Sequence, residues 1–248
     1  MVRRAVRSAA ILVTVLSVLA AGTYVLMNSR THQIAGRLLH RVDTDRKVVA
    51  LTIDDGPTER TPAILHTLAA QGVPATFYLV GEDLAAHRDY GIALAAAGHE
   101  IGNHSYTHRR LVFVTPGTVR AEIERTDAEI ARTGYRGPVT FRPPNGKKLL
   151  TLPWYLARHD RTTVMWDVES DSTGALGTDE IVATTVDHVR PGSIILLHAM
   201  HQQAALDAIA PIVTELRSRG YEFVTVSQSA ADSTTARNCR PRPQSRAC

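Results

Sequence analysis

The chain alternates between short apolar, β-branched runs and longer stretches whose apolar residues recur at helical spacing. The runs predict strands at 48–54, 75–80, 99–104, 139–142, 162–168, 193–199 and 221–227. The periodic stretches predict helices near 60–71, 82–97, 116–133, 149–159, 178–189 and 203–219. Ala121 to Arg125 and Ala204 to Leu216 each show one apolar face. Gly72, Gly98, Gly134 and Gly220 follow four of these helices, where a C-terminal glycine belongs. Strands alternating with helices predict a parallel sheet with right-handed crossovers, open or closed into a barrel.

A different pattern opens the chain. Arg3, Arg4 and Arg7 precede an uncharged, mostly apolar run from Ala9 to Met27, nineteen residues long. That is longer than the usual core of a cleaved signal and close to the ~20 residues that span a bilayer. Residues 1–30 are therefore read as a membrane anchor, the alternative being a signal cleaved after Ala20-Ala21-Gly22. Positive charge ahead of the run keeps the N-terminus cytoplasmic and the body outside. Residues 31–46 are polar and read as a stalk of at most ~50 Å if fully extended. Residues 47–227 are expected to form a single domain, and a monomer. Residues 228–248, rich in Ser, Thr, Ala, Arg and Pro, read as a disordered tail.

Charge separates these regions. The chain of 248 residues has a formal net charge of +4, with four Arg and no acid in 1–30 and four Arg with one Asp in 227–248. Residues 31–226 are left at about −3. A basic face for nucleic acid is thus absent from the body, and no nucleic-acid partner is expected. Both cysteines, Cys239 and Cys248, lie in the tail, where a small disulfide loop is compatible with an oxidising compartment. No strand is followed by G-x-G-x-x-G or a Walker-type loop, which leaves nucleotide binding unsupported.

Chemistry gathers at the predicted strand ends. Val48 to Ile53 runs into Asp54-Asp55-Gly56-Pro57, two carboxylates where parallel α/β folds place their chemistry. Neighbouring side chains on a strand point to opposite faces, so the two carboxylates are expected to have separate jobs. His104 and His108, four apart, are expected to project from one face of a helical turn. With one Asp they make two His and one carboxylate, a set that leaves a position open for water. Phe141-Arg142-Pro143-Pro144-Asn145-Gly146 makes a rigid loop in which Arg142 is placed to hold a carboxylate and Asn145 to present a backbone N–H. Ser193 to Leu197 ends in His198, placed for proton transfer.

Thr-x-Asp-Asp-Gly, His-Ser-x-x-His, Arg-Pro-Pro-x-Gly and Leu-Leu-His, in this order over roughly 44–227, resemble the polysaccharide deacetylase family (carbohydrate esterase family 4, the NodB homology domain). The resemblance implies a distorted (β/α)7 barrel and a metal-dependent hydrolase that removes acetyl groups from glycans such as peptidoglycan, chitin or xylan. It implies Asp54 as base, His198 as acid, Arg142 orienting Asp54, and Asp55, His104 and His108 as metal ligands. The metal is expected to be zinc, with cobalt, nickel or manganese as alternatives. Asn145 stands where the family often has Tyr, with the oxyanion contact through its backbone. The family's Trp-x-x-Asp-x-x-Asp-Trp is altered here: Glu169 takes the first Asp position, Ser172 the second, and the closing Trp is absent. Either Asp167 or Asp171 is left to tune His198. An anchored body outside the cell implies peptidoglycan amino sugars as substrate. Two rival readings are a non-catalytic glycan-binding module, which would lack one of base, ligands or acid, and a glycoside hydrolase, which would not need His104 and His108.

Overall fold

The computed structural model describes residues 2–172 and 176–231. Helix α1 (Val2–Asn28) leads into β1 (Leu38–Leu39), β2 (Val48–Asp54), α2 (Thr61–Gln71) and β3 (Thr76–Leu79). Then come α3 (Gly81–Ala86), α4 (Arg88–Ala96), β4 (Glu100–Asn103), α5 (Pro116–Arg132), a 3-10 turn (Pro144–Gly146) and α6 (Thr151–Arg158). The chain continues through β5 (Thr163–Val164), β6 (Val168–Glu169), α7 (Thr178–His188), β7 (Ile194–Leu197), α8 (Gln203–Ser218) and β8 (Glu222–Val224).

Every ladder between these strands is parallel. The main sheet runs β4-β3-β2-β7-β6, with β8 paired to the first half of β2. The α/β class expected from the alternating pattern is what forms. A barrel closed by continuous ladders does not form among the described residues. The gap between β4 and β5 is spanned by single bridges from Phe141 to Asn103 and to Thr163. The strand expected at 139–142 is reduced to that one residue because Pro143 and Pro144 have no N–H to extend a ladder.

Side-chain alternation along β2 sorts two cores. Val49, Leu51 and Ile53 face the helices, packing with Leu68, Leu206, Ile209 and Ile212. Ala50 faces the other way, toward Tyr78, Met165, Trp166 and Leu196 inside the curved sheet. Each fully buried Leu or Ile contributes about 1.5–3 kcal/mol, so this doubly covered strand is a rigid base for whatever stands at its end. Gly72, Gly98, Gly134 and Gly220 all take positive φ at helix ends, as their positions in the sequence predict.

Besides the strand at 139–142, the strand expected at 162–168 divides into β5 and β6, and three further boundaries differ from expectation. The helix expected at 82–97 breaks at His87 (φ −125°, ψ 49°) into α3 and α4. Gly91 lets α4 close against α3, because a Cβ there would lie 2.4 Å from Leu84 Cδ1. Residues 31–46 are not a free stalk: Leu38 and Leu39 pair with Thr163 and Val164, and Val42 is buried and donates its N–H to Gly192 O at 2.8 Å. The apolar residues at 38, 39 and 42 override the polar composition around them. The folded part also runs past 227. Residues 226–231 are helical, Val226 and Ser229 are buried, and Ser227 donates its N–H and its Oγ–H to Glu100. The tail expected from 228 onward, with Cys239 and Cys248, lies outside the described residues beyond 231.

Candidate active site

Asp54 is the last residue of β2, and strand periodicity points it inward with Ala50 and Thr52. Arg142, fully buried, donates Nη1–H to Asp54 Oδ1 at 2.6 Å and to Thr52 Oγ1 at 2.8 Å. Its other nitrogens reach the carbonyls of Val164 (3.4 Å) and Met165 (3.1 Å). Its guanidinium lies 4.1 Å from the ring centre of Tyr78 and 5.4 Å from that of Trp166. A buried cation needs such a complete set of partners. Gly102 makes room for the stack, since a Cβ there would lie 2.4 Å from the Tyr78 ring.

The two carboxylates do not point apart as plain strand alternation predicts. Asp55 has left the strand with φ 73°, held by its N–H bond to Tyr78 O at 3.1 Å. Its Oδ1 therefore lies 3.8 Å from His104 Nε2 and 3.3 Å from His108 Nε2, while Asp54 Oδ2 lies 3.7 Å from the same His104 atom. His104 and His108 are not on a helical turn either. They sit on an irregular loop with Ser105 and His108 at positive φ, and their ring centres are 5.0 Å apart.

This loop is held by residues the sequence reading passed over. Glu122 of α5 accepts the N–H groups of Tyr106 (2.8 Å) and Thr107 (2.9 Å) on Oε2 and the Thr107 hydroxyl (2.8 Å) on Oε1. Asn103 Oδ1 accepts Ser105 N–H at 2.9 Å, and its amide donates to Ile123 O and Asp127. The signal was an acid on the apolar face of α5, between Val119 and Ile123, where a solvated Glu does not belong. His201, also passed over, places Nε2 3.7 Å from Asp55 Oδ2.

Asp55, His104 and His108 converge so that one donor atom from each lies within 4.8 Å of the others. His104 Nδ1 lies 2.8 Å from Arg142 O and donates to it, which leaves Nε2 as the free lone pair. Burial pulls the His104 pKa below its usual value, keeping the ring neutral as a ligand must be. The residues present thus fit a divalent cation with two N donors and one O donor.

His198 follows β7 on the other side of the same pocket. Its Nδ1 is 3.0 Å from Asp171 Oδ1, and Asp171 Oδ2 accepts its backbone N–H. Burial alone would lower its pKa, but the hydrogen bond and charge of Asp171, with Asp54 and Asp55 beyond, push it up to about 9. Asp171 is therefore the acid beside His198. Asp167 is engaged elsewhere, accepting Ser193 Oγ–H and Ile194 N–H. Glu169 accepts Trp166 Nε1–H at 2.8 Å and pairs with Arg30. Asn145 takes φ 54° within the 3-10 turn, with its Oδ1 bonded by Arg110. One cavity of about 390 Å³ is lined by Asp54, Asp55, His104, His108, Asn145 and His198. Asn28 and Arg30, from the end of α1 and just beyond, also border it.

A curved parallel α/β sheet with a carboxylate-histidine set that fits a divalent cation, a clamped second carboxylate and an opposed histidine has the arrangement of a hydrolase site. Residues 41–164 match the polysaccharide deacetylase family. Over 182 residues, 72% of this chain and 66% of the relative, the sequence is 35% identical to a peptidoglycan-N-acetylglucosamine deacetylase of Bacillus cereus. It is 32% identical to a peptidoglycan-N-acetylmuramic acid deacetylase of Bacillus subtilis, covering 75% of this chain and 39% of that one. A crystal structure of a peptidoglycan N-acetylglucosamine deacetylase superposes with a TM-score of 0.74 at 32% identity, over 77% of this chain and 92% of that chain. The chain belongs to the polysaccharide deacetylase family, whose members are in general metal-dependent, and it spans less than two thirds of the length of these two sequence relatives.

Proposed function

We propose that this chain removes acetyl groups from the amino sugars of peptidoglycan, at N-acetylglucosamine in preference to N-acetylmuramic acid, from the outer face of a membrane in which α1 is anchored. The observation that carries the reading is one pocket in which clamped Asp54, the Asp55-His104-His108 set and Asp171-bound His198 face a shared space. Relatives named for peptidoglycan amino sugars support the substrate class.

A divalent cation, zinc by preference for two imidazoles and one carboxylate, supplies Lewis acidity and lowers the pKa of water when bound by Asp55, His104 and His108. The rest falls to the chain. Arg142 occupies Asp54 Oδ1 and leaves Oδ2 to take a proton from the attacking water. Water oxygen bonds to the acetyl carbon, and the Asn145 backbone N–H stabilises the developing oxyanion. Asp171 on Nδ1 leaves the Nε2 proton of His198 for the departing nitrogen. The C–N bond breaks, releasing acetate and the free amine. Arg142 also holds the Asp54 carboxylate in place between turnovers.

The test is acetate release from purified peptidoglycan, chitin oligomers and acetylxylan, with and without EDTA, followed by add-back of zinc, cobalt, nickel or manganese. Release from peptidoglycan that stops with chelator and returns with metal is expected. Chelator-insensitive release removes the metal reading, and release from xylan alone removes the peptidoglycan one. Membrane sedimentation and protease access from outside the cell test the anchor; recovery of a soluble form starting near Thr23 shows cleavage instead.

A further inference from the structure

The end of α1 is fastened to the edge of the pocket. Lys148 donates its backbone N–H to Met27 O at 3.3 Å and its ammonium to Ser29 O, while Lys147 donates to Asn28 Oδ1. Asn28 and Arg30 line the cavity, and the Arg30 guanidinium lies 4.8 Å from the centre of the Trp166 ring. The stretch Val6–Asn28 is long and apolar enough to cross a bilayer, so the last residue of that stretch is itself a wall of the pocket.

A second, separate feature lies beside it. Outside α1, the exposed large apolar side chains among the described residues are Ile34, Ile92, Phe113, Leu150 and Trp154. Phe113, Leu150 and Trp154 are 80%, 57% and 57% exposed and share one neighbourhood. Leu111 bridges to Lys148, and Thr151 Oγ1 donates to Val114 O at 3.1 Å, which sets Phe113 beside Leu150. Trp154 follows one helical turn after Leu150. Arg110 Nε–H bonds Asn145 Oδ1 at 2.9 Å, which ties the Phe113 loop to the edge of the cavity. Residues 107–121 and 142–159 contain no Asp or Glu, and among their basic side chains Arg109, Arg110, Arg120 and Arg158 are exposed. Exposed aromatic and aliphatic side chains amid exposed arginines are the composition of a surface that seats at anionic lipid head groups.

We propose that the rim formed by residues 109–114 and 147–154 rests on the head-group face of an anionic membrane around the foot of α1, so that the pocket acts on N-acetylated glycan held at the membrane face. The inference rests on the anchor reading of α1 given above. It replaces the long reach of a free stalk with a pocket fixed at the membrane surface. The substrate class it selects is an amino sugar carried on a lipid or still at the bilayer, ahead of polymer farther out.

The full-length chain in vesicles of phosphatidylcholine and phosphatidylglycerol tests this, with lipids brominated either near the head group or deep in the acyl chains. Trp154 and Trp166 are its two tryptophans, and Trp166 is 5% exposed, so the difference between the wild type and Trp154→Phe isolates Trp154. Shallow bromines should quench the Trp154 signal at least twofold more than deep ones. A chain retained by the vesicles whose Trp154 is unquenched overturns the inference alone; a chain released from them overturns the anchor reading with it. In a second arm, Phe113→Ser, Leu150→Ser and Trp154→Ser are combined. The ratio of acetate released from a lipid-linked N-acetylglucosaminyl disaccharide to that from soluble chitin oligomers should fall about tenfold. An unchanged ratio overturns the inference. No release from either substrate by the wild type sinks the deacetylase reading, and the quenching result then decides the rim by itself.

Discussion

His198 Nδ1 and Asp171 Oδ1 stand 3.0 Å apart, and the second oxygen of the same carboxylate accepts the backbone N–H of His198. One carboxylate thus fixes both the ring and the strand end that carries it. Burial opposes a charge on the ring, yet the pair holds its pKa at about 9. In its proposed role as proton donor His198 must be protonated, so activity is expected at neutral pH and should be lost as pH rises through that value. Asp171→Asn removes the charge and keeps an acceptor oxygen. The alkaline limb of kcat/KM should then move to lower pH, toward the side that burial favours. A profile unmoved by Asp171→Asn would separate Asp171 from the acid.

Asp54 is clamped on one oxygen only, and the consequence is specific. Asp54→Asn should leave metal content intact and lower kcat by about 10²–10⁴, the usual worth of a general base. Arg142 would then face a neutral amide in a buried site, so some loss of stability accompanies the loss of rate. Metal analysis together with single-turnover kinetics checks both, and near-normal turnover returns Asp54 to a structural role.

Much of this arrangement was legible because it depends on local chemistry. The apolar runs ending at Asp54, Leu79, Asn103 and Leu197 are buried strands, and glycines marked the helix ends. The carboxylates and histidines at those ends meet in one pocket, with the arginine buried behind Asp54, as their common level in the sheet implies. What was not legible depends on partners distant in the chain. Glu122 stands out as an acid on the apolar face of α5, but its partners appear only when the 106–107 loop folds onto it. The choice of Asp171 over Asp167 follows only from Ser193 and Ile194 claiming Asp167. The positive φ of Asp55 turns its carboxylate toward His104, against the alternation that a continuing strand would impose. Residues 38–42 read as polar because their few apolar side chains acquire a burial site only when β5 and Gly192 arrive.

His104 has the strongest claim among the ligands. It is buried, its Nδ1 is committed to Arg142 O, and its Nε2 faces both carboxylates. His104→Ala should abolish stoichiometric metal and activity together while the circular dichroism spectrum persists. Full metal occupancy in this variant would remove His104 from the ligand set.

Glu122 is the sharper test of how the site is built, because it touches none of the reacting groups. Its carboxylate binds two backbone N–H groups and one hydroxyl of residues 106–107, between the two histidines. Glu122→Gln keeps the shape and one acceptor oxygen but loses the charge that strengthens those bonds. The loop should loosen and metal affinity should fall about 10–100-fold, the range seen when groups that orient ligands are removed. The proper readout is a metal titration by competition with a chromophoric chelator, alongside activity at saturating metal. If Glu122 acts by positioning His104 and His108, saturating metal restores most of the rate. A variant with wild-type metal affinity and a depressed rate would instead mean that the loop serves the glycan and not the cation.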